Sequence, residues 1–115
     1  MLKRANELTQ EVIVGLRGGK GNVITTKLLE GDQFQGKGRL FSKMVLKPGH
    51  SIGYHQHTGD IEAYYILSGQ GTLNDNGAVT TVAAGDVVFT GNGESHAIEN
   101  TGDDDLVFIA LILFA

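Results

Sequence analysis

The sequence predicts an all-β fold, a sandwich or barrel of short antiparallel strands. Three observations carry this: apolar and β-branched residues alternate in short runs, Gly/Asn/Asp clusters separate the runs, and no segment sustains a helical period. Seventeen glycines against one proline is about twice the usual glycine share and suits many tight turns.

In chain order the strand runs are EVIVGL (11–16), NVITTKLL (22–29), RLFSKMVLK (39–47), EAYYIL (62–67), GAVTTV (77–82), GDVVF (85–89), SHAIEN (95–100) and DLVFIALILF (105–114). Turn chemistry lies between them in EGDQFQGKG, KPG, SGQG, NDNG and TGDDD, and Asn76-Gly77 is a two-residue hairpin signal. Asn6 to Gln10 allows one helical turn. With 115 residues, and no linker, low-complexity tract or repeat, the chain reads as one domain over 1–115. The last run has no polar residue between Leu106 and Ala115, so both of its faces need cover. A second subunit supplies that cover most simply, which predicts a homodimer. The other route is a local lid from the N-terminal strands.

Composition excludes several functions. Without cysteine there are no disulfides, thiolate metal sites or cysteine nucleophiles. There is no apolar run of about 18 residues, and MLKRANELTQ lacks a signal-peptide apolar stretch, so the expectation is a cytoplasmic protein with no membrane partner. Charge is segregated: residues 1–47 hold all nine Lys and Arg with four acids, while residues 48–115 hold nine acids and no Lys or Arg, within a net charge of −4. The acidic part suits a bound cation and repels nucleic-acid phosphate, so nucleic acid is excluded as a partner. Ion pairing between the two parts is the plain structural use of the same pattern.

Histidines and one carboxylate carry the chemistry. On a strand, His55 and His57 point to the same face with Cα atoms about 6.5–7 Å apart, so two imidazoles meet at one ion. After the turn Thr58-Gly59-Asp60 comes Glu62, where antiparallel return is expected to bring its carboxylate beside them. His96 is expected from across the barrel. Three nitrogens and one carboxylate suit one divalent Mn, Fe, Co, Ni, Zn or Cu per chain and leave coordination positions open. Alternation from Glu62 turns Tyr64 and Ile66 inward and Tyr65 outward, which makes Glu62 and Tyr64 the catalytic candidates. Asp60, Glu94 and His50 read as solvated turn residues.

Reading from Gly49, the chain gives five residues, His55-Gln56-His57, four residues, Glu62, six residues and Gly69. From Gly85 follow five residues, Gly91, one residue, Gly93, two residues, His96, three residues and Asn100. These stretches resemble the two motifs of the cupins, and the 15 residues between them (70–84) resemble the compact single-domain bacterial members. Gly91 stands where the family usually has proline. The resemblance implies a double-stranded β-helix, the cupin jelly-roll barrel, with residues 1–47 as N-terminal strands, 48–100 as the motif region and 101–115 as the final strand. It also implies His55, His57, Glu62 and His96 as metal ligands, with Gly49, Gly69, Gly85, Gly93 and Asn100 shaping turns.

The functional expectation is a metal-dependent enzyme on a small organic molecule, dioxygenase-like before sugar-phosphate isomerase-like. The alternative is a non-catalytic binding or sensing module. An isomerase needs cations for phosphate, and Arg17, Lys20, Arg39 or Lys43 would have to reach in from the first part of the chain. The same shortage weighs against an oxalate decarboxylase.

Overall fold

A computed structural model describes all of residues 1–115. Its strands are β1 (Gln10–Val14), β2 (Asn22–Leu29), β3 (Gly38–Leu46), β4 (Ser51–Gln56), β5 (Asp60–Ser68), β6 (Gln70–Asp75), β7 (Ala78–Ala83), β8 (Val87–Thr90), β9 (Ser95–Glu99) and β10 (Leu106–Phe114). They form a six-stranded sheet in the order β1-β2-β3-β10-β5-β8 and a four-stranded sheet in the order β4-β9-β6-β7. From β4 onward the chain repeatedly crosses between sheets, which gives the double-stranded β-helix implied by the two motifs.

Side-chain period places the core between the sheets. Along β10, Leu106, Phe108, Ala110 and Ile112 are buried while Val107, Ile109 and Leu111 are half-buried on the outer face. Leu46, Ile66, Leu106 and Phe108 are fully buried, each adding about 1.5–3 kcal/mol of transfer free energy. β1 and β2 extend the sheet beside β3 and do not fold over β10, so they are not the local lid considered above.

Two strands are missing from the runs read off the sequence. β4 (SIGYHQ) and β6 (QGTLND) each carry a single buried apolar side chain, Ile52 and Leu73, because histidine or glycine takes the next inward position. Asn76 and Gly77 adopt φ of 52° and 99°, the two left-handed residues that a tight β6–β7 hairpin demands. A 3-10 turn at Ala5–Glu7 takes the place of the helical turn expected over Asn6 to Gln10. The segregated charges meet in ion pairs: Lys20–Glu99 (3.1 Å), Lys47–Asp105 (2.9 Å) and Arg39–Asp60 (3.0 Å). The first two are exposed and add little stability.

Candidate metal centre

His55 lies on β4, His96 on β9 and Glu62 on β5, and His57 follows β4 directly. Their donor atoms all lie within 4.8 Å of one another, an arrangement that could hold a metal ion. The routes differ from the expectation. β4 pairs with β9, and His55 stands opposite His96 in register, so His96 is a strand neighbour. Glu62 comes from the facing sheet instead of an antiparallel return, because β5 crosses over immediately after His57.

The second nitrogen of each ring fixes its orientation. The Nδ1–H of His55 donates to the Gly53 carbonyl at 2.7 Å, and that of His57 donates to Asp60 Oδ1 at 2.7 Å. Both partners only accept, so the proton is on Nδ1 and the Nε2 lone pair faces inward. His96 Nδ1 is 2.8 Å from the buried Thr90 hydroxyl. His96 Nε2 then lies 3.0 Å from His57 Nε2 and 3.2 Å from His55 Nε2, and Glu62 Oε1 is 3.0 Å from both His57 and His96. Lone pairs and a carboxylate packed this closely repel one another unless a cation lies among them. This donor set fits a divalent transition ion.

Burial lowers the His55 pKa, outweighing the Gly53 carbonyl that favours the protonated ring, and repulsion from His96, Arg17 and His57 adds to it. Tyr64 turns inward as expected, stacked on His96 with ring centroids 5.1 Å apart. Burial raises its pKa well above the ordinary value and the Glu62 charge reinforces this, so it stays a neutral phenol.

Asp60 is not a solvated turn residue. It is the first residue of β5, buried, and accepts from His57 and from Arg39 Nε at 3.0 Å. Burial alone would raise its pKa, but the His57 and Arg39 hydrogen bonds outweigh burial and hold it below the usual carboxylate range. The alternation that turned Tyr64 inward, taken back through Glu62, reaches Asp60 as well. Asp60→Asn should weaken metal binding by about 10–100-fold, and Glu62→Gln, which keeps an oxygen donor but loses the anionic charge, should weaken it as well, both measured by titrating metal-free protein with Zn²⁺.

Two other turn residues have clear structural roles. Glu94 Oε1 accepts the Gly91 N–H at 2.6 Å, a bond that proline at 91 could not make, so this turn is pinned where the family uses proline. His50 ties the β3–β4 turn to Asn22, accepting its N–H at 3.1 Å.

Beside the cluster opens a cavity of about 310 Å³ lined by His55, His57, Glu62 and Tyr64 at one end. Leu40, Met44, Ile52 and Ile112 form apolar wall. Cations reach it from the first part of the chain after all: Arg17, Lys27 and Arg39 line it. Lys20 instead pairs with Glu99, and Lys43 is exposed on β3. Lys27 went unnoticed, although its period with buried Val23 and Thr25 turns it inward. Arg17 sits in a loop pressed onto β4: a Cβ on Gly53 would meet the Arg17 carbonyl oxygen at 2.0 Å. Arg17 also has a left-handed φ of 54°, uncommon outside glycine and costing on the order of 1 kcal/mol. Lys27 pairs with Glu11 and Arg39 with Asp60, which leaves Arg17 as the cavity cation without a carboxylate partner.

Comparison with known proteins gives the family. The cupin domain model matches residues 42–112. An "Oxalate-binding protein" of Thermotoga maritima is 50% identical over 113 residues, 98% of this chain and 93% of that one. A crystal structure from Thermotoga maritima described as a predicted oxalate decarboxylase superposes with TM-score 0.95 at 50% identity over 100% of both chains. A putative sugar phosphate isomerase from Acidithiobacillus ferrooxidans reaches TM-score 0.79 at 27% identity, covering 99% of this chain and 75% of that one. With the domain model spanning both histidine-bearing strands and the Thermotoga relative aligned nearly end to end, the chain belongs to the cupin family.

Proposed function

We propose that the protein holds one divalent transition metal ion through His55, His57, Glu62 and His96 and uses it to capture a small carboxylate that chelates the ion. The carrying observation is Arg17, a cation with no carboxylate partner on the cavity beside His55. A divalent ion offset by one Glu62 charge, with Arg17 next to it, makes this corner cationic in a chain of net charge −4. The name of the Thermotoga relative points to the same ligand class. When bound, the ion supplies Lewis-acid attraction for oxygen ligands. The chain's own part is then to present Arg17 to the free carboxylate oxygens and the apolar wall to the carbon skeleton.

Calorimetry with oxalate tests this. Metal-loaded protein should bind it, metal-free protein should not, and Arg17→Met should weaken binding by about 10–100-fold. Undiminished oxalate binding by metal-free protein would sink the reading.

A dioxygenase-like enzyme is the second reading, favoured by Glu62 and the neutral Tyr64 phenol at the metal end of a cavity with an apolar wall. Glu62 would then act as ligand and base. Turnover per bound metal separates the two: Glu62→Gln should lose about a hundredfold in an enzyme. Sugar phosphates would draw on the same cations and are the competitors in the oxalate titration.

The outer face of the six-stranded sheet supports a homodimer. Val45, Val107, Ile109, Tyr65, Val87 and Phe89 make it apolar across four strands, and Val87 and Phe89 are 69% and 59% exposed. So continuous an apolar surface fits a second copy of the chain. Sedimentation at micromolar concentration should show a dimer that Phe89→Lys dissociates; a wild-type monomer would refute it.

A further inference from the structure

The cavity is larger than a chelated oxalate requires. At about 30 Å³ per water, 310 Å³ accommodates on the order of ten waters, whereas oxalate is two carboxyl groups joined by a single bond. The direction of the extra space follows from strand register. Tyr64 stands opposite Ala110, Ala110 opposite Ser42, and Ser42 opposite Lys27. Three strand spacings therefore separate the Tyr64 and Lys27 backbones, about 14 Å. Ala110 and Ser42, between them, are fully buried and do not line the cavity, so the path between the two ends runs along the flanking rows. The flanking rows carry Ile112 with Leu40 and Phe108 with Met44.

The far end has its own polar chemistry. Lys27 lines both this cavity and an adjoining one of about 170 Å³. Arg39 does not belong to this end: its Nε–H donates to Asp60, which also accepts from His57, so its guanidinium stands beside the metal centre. Lys27 has three donors and pairs with the half-exposed Glu11. Between this end and the histidines lie Leu40, Met44 and Ile112, with no charged group of their own.

The geometry points to a specific ligand class, and the inference rests on the metal-chelating carboxylate reading above. The ligand is a dicarboxylate with two unlike ends. One carboxylate, with an oxo or hydroxyl oxygen on the adjacent carbon, faces the metal centre and Arg17. An apolar spacer of several carbons runs along Leu40, Met44 and Ile112, and the second carboxylate ends at Lys27. Glu11, beside Lys27, opposes that second carboxylate and limits its affinity.

Calorimetry on the metal-loaded protein tests this with 2-oxo dicarboxylates of two to four methylenes, 2-oxo monocarboxylates of the same lengths, and oxalate. One diacid length should bind on the order of tenfold tighter than its monoacid, the scale of one partly exposed charge-assisted pair. Lys27→Met should erase that preference, and Glu11→Gln should enlarge it. Neither should change oxalate or monoacid affinity, and opposite shifts from the two variants cannot come from misfolding. If oxalate and the monoacids bind in a metal-dependent way but no diacid gains, this inference fails alone. It also fails alone if Lys27→Met weakens all the ligands equally. If no acid binds in a metal-dependent way, the carboxylate reading fails and takes this inference with it.

Discussion

His96→Ala should reduce divalent-metal affinity on the order of a thousandfold or more, beyond the 10–100-fold that removal of an outer hydrogen-bond partner costs. His96 is the hub of the centre. Its Nε2 lies about 3 Å from His57 Nε2, His55 Nε2 and Glu62 Oε1, it is 1% exposed, and Tyr64 stacks on its face. Alanine deletes a donor that no neighbour can replace, because the other inward atoms are already committed to the same centre. In metal-free protein the loss is partly offset, since the variant relieves crowding among like lone pairs while opening a cavity and stranding the Thr90 hydroxyl. The metal-induced rise in melting temperature should therefore vanish while the metal-free protein stays folded. Zinc titration and paired thermal melts with and without metal check this. A variant that keeps one tightly bound ion per chain would remove His96 from the ligand set.

Local pattern carried much of the fold and of the site. Alternation marked the strands that have apolar inward positions, and the spacing of His55, His57, Glu62 and His96 marked the cluster. What escaped depends on non-local pairing. Whether β5 returns beside β4 or crosses to the other sheet is decided by which strands finally share a ladder, and nothing in residues 55–62 encodes that choice. Thus Glu62 and His96 were placed together correctly while their approach directions were interchanged. β6 escaped because Gly71 and Leu73, its inward residues, make too weak a run. Asp60 was hidden by its turn-forming neighbours Thr58-Gly59, although strand period alone turns it inward beside Glu62. Of the cavity cations, Arg17 and Arg39 were legible as groups that could reach in, while Lys27 was not; all three belong to residues 1–47, outside both motifs, and β2, the start of β3 and the loop clamped at Gly53 bring them to the cavity.

Asn100 shows how far that centre depends on a residue that does not face it, and Asn100→Ala should cost about 3–5 kcal/mol of stability. Its side chain is fully buried and has no free valence. Nδ2 donates to the Leu46 carbonyl at 2.8 Å and to the Asp104 carbonyl at 2.8 Å, and Oδ1 accepts the Gly102 N–H at 2.9 Å. Its main chain accepts from Gly49 and donates to His50, each at 2.9 Å. One residue therefore ties together the end of β3, the β3–β4 turn and the β9–β10 loop. Those connections set where β4 and β9 begin, and with them the opposed pair His55 and His96. Alanine keeps the main-chain bonds but strands the buried Leu46 carbonyl and releases the Asp104 carbonyl and the Gly102 N–H in the part-buried β9–β10 loop. Asn100→Asp is the sharper test, because it keeps the shape and the Gly102 bond while replacing both donors with an acceptor aimed at two carbonyls. It should be at least as destabilising as alanine. In thermal melts of metal-free protein, where ion binding cannot mask the loss, both variants should lower the melting temperature on the order of 10 °C or more. If either variant stays within about 1 kcal/mol of wild type, buried hydrogen bonding at Asn100 is not what fixes the two ligand strands, and the β3–β4 and β9–β10 turns must hold their conformations through their own backbone bonds.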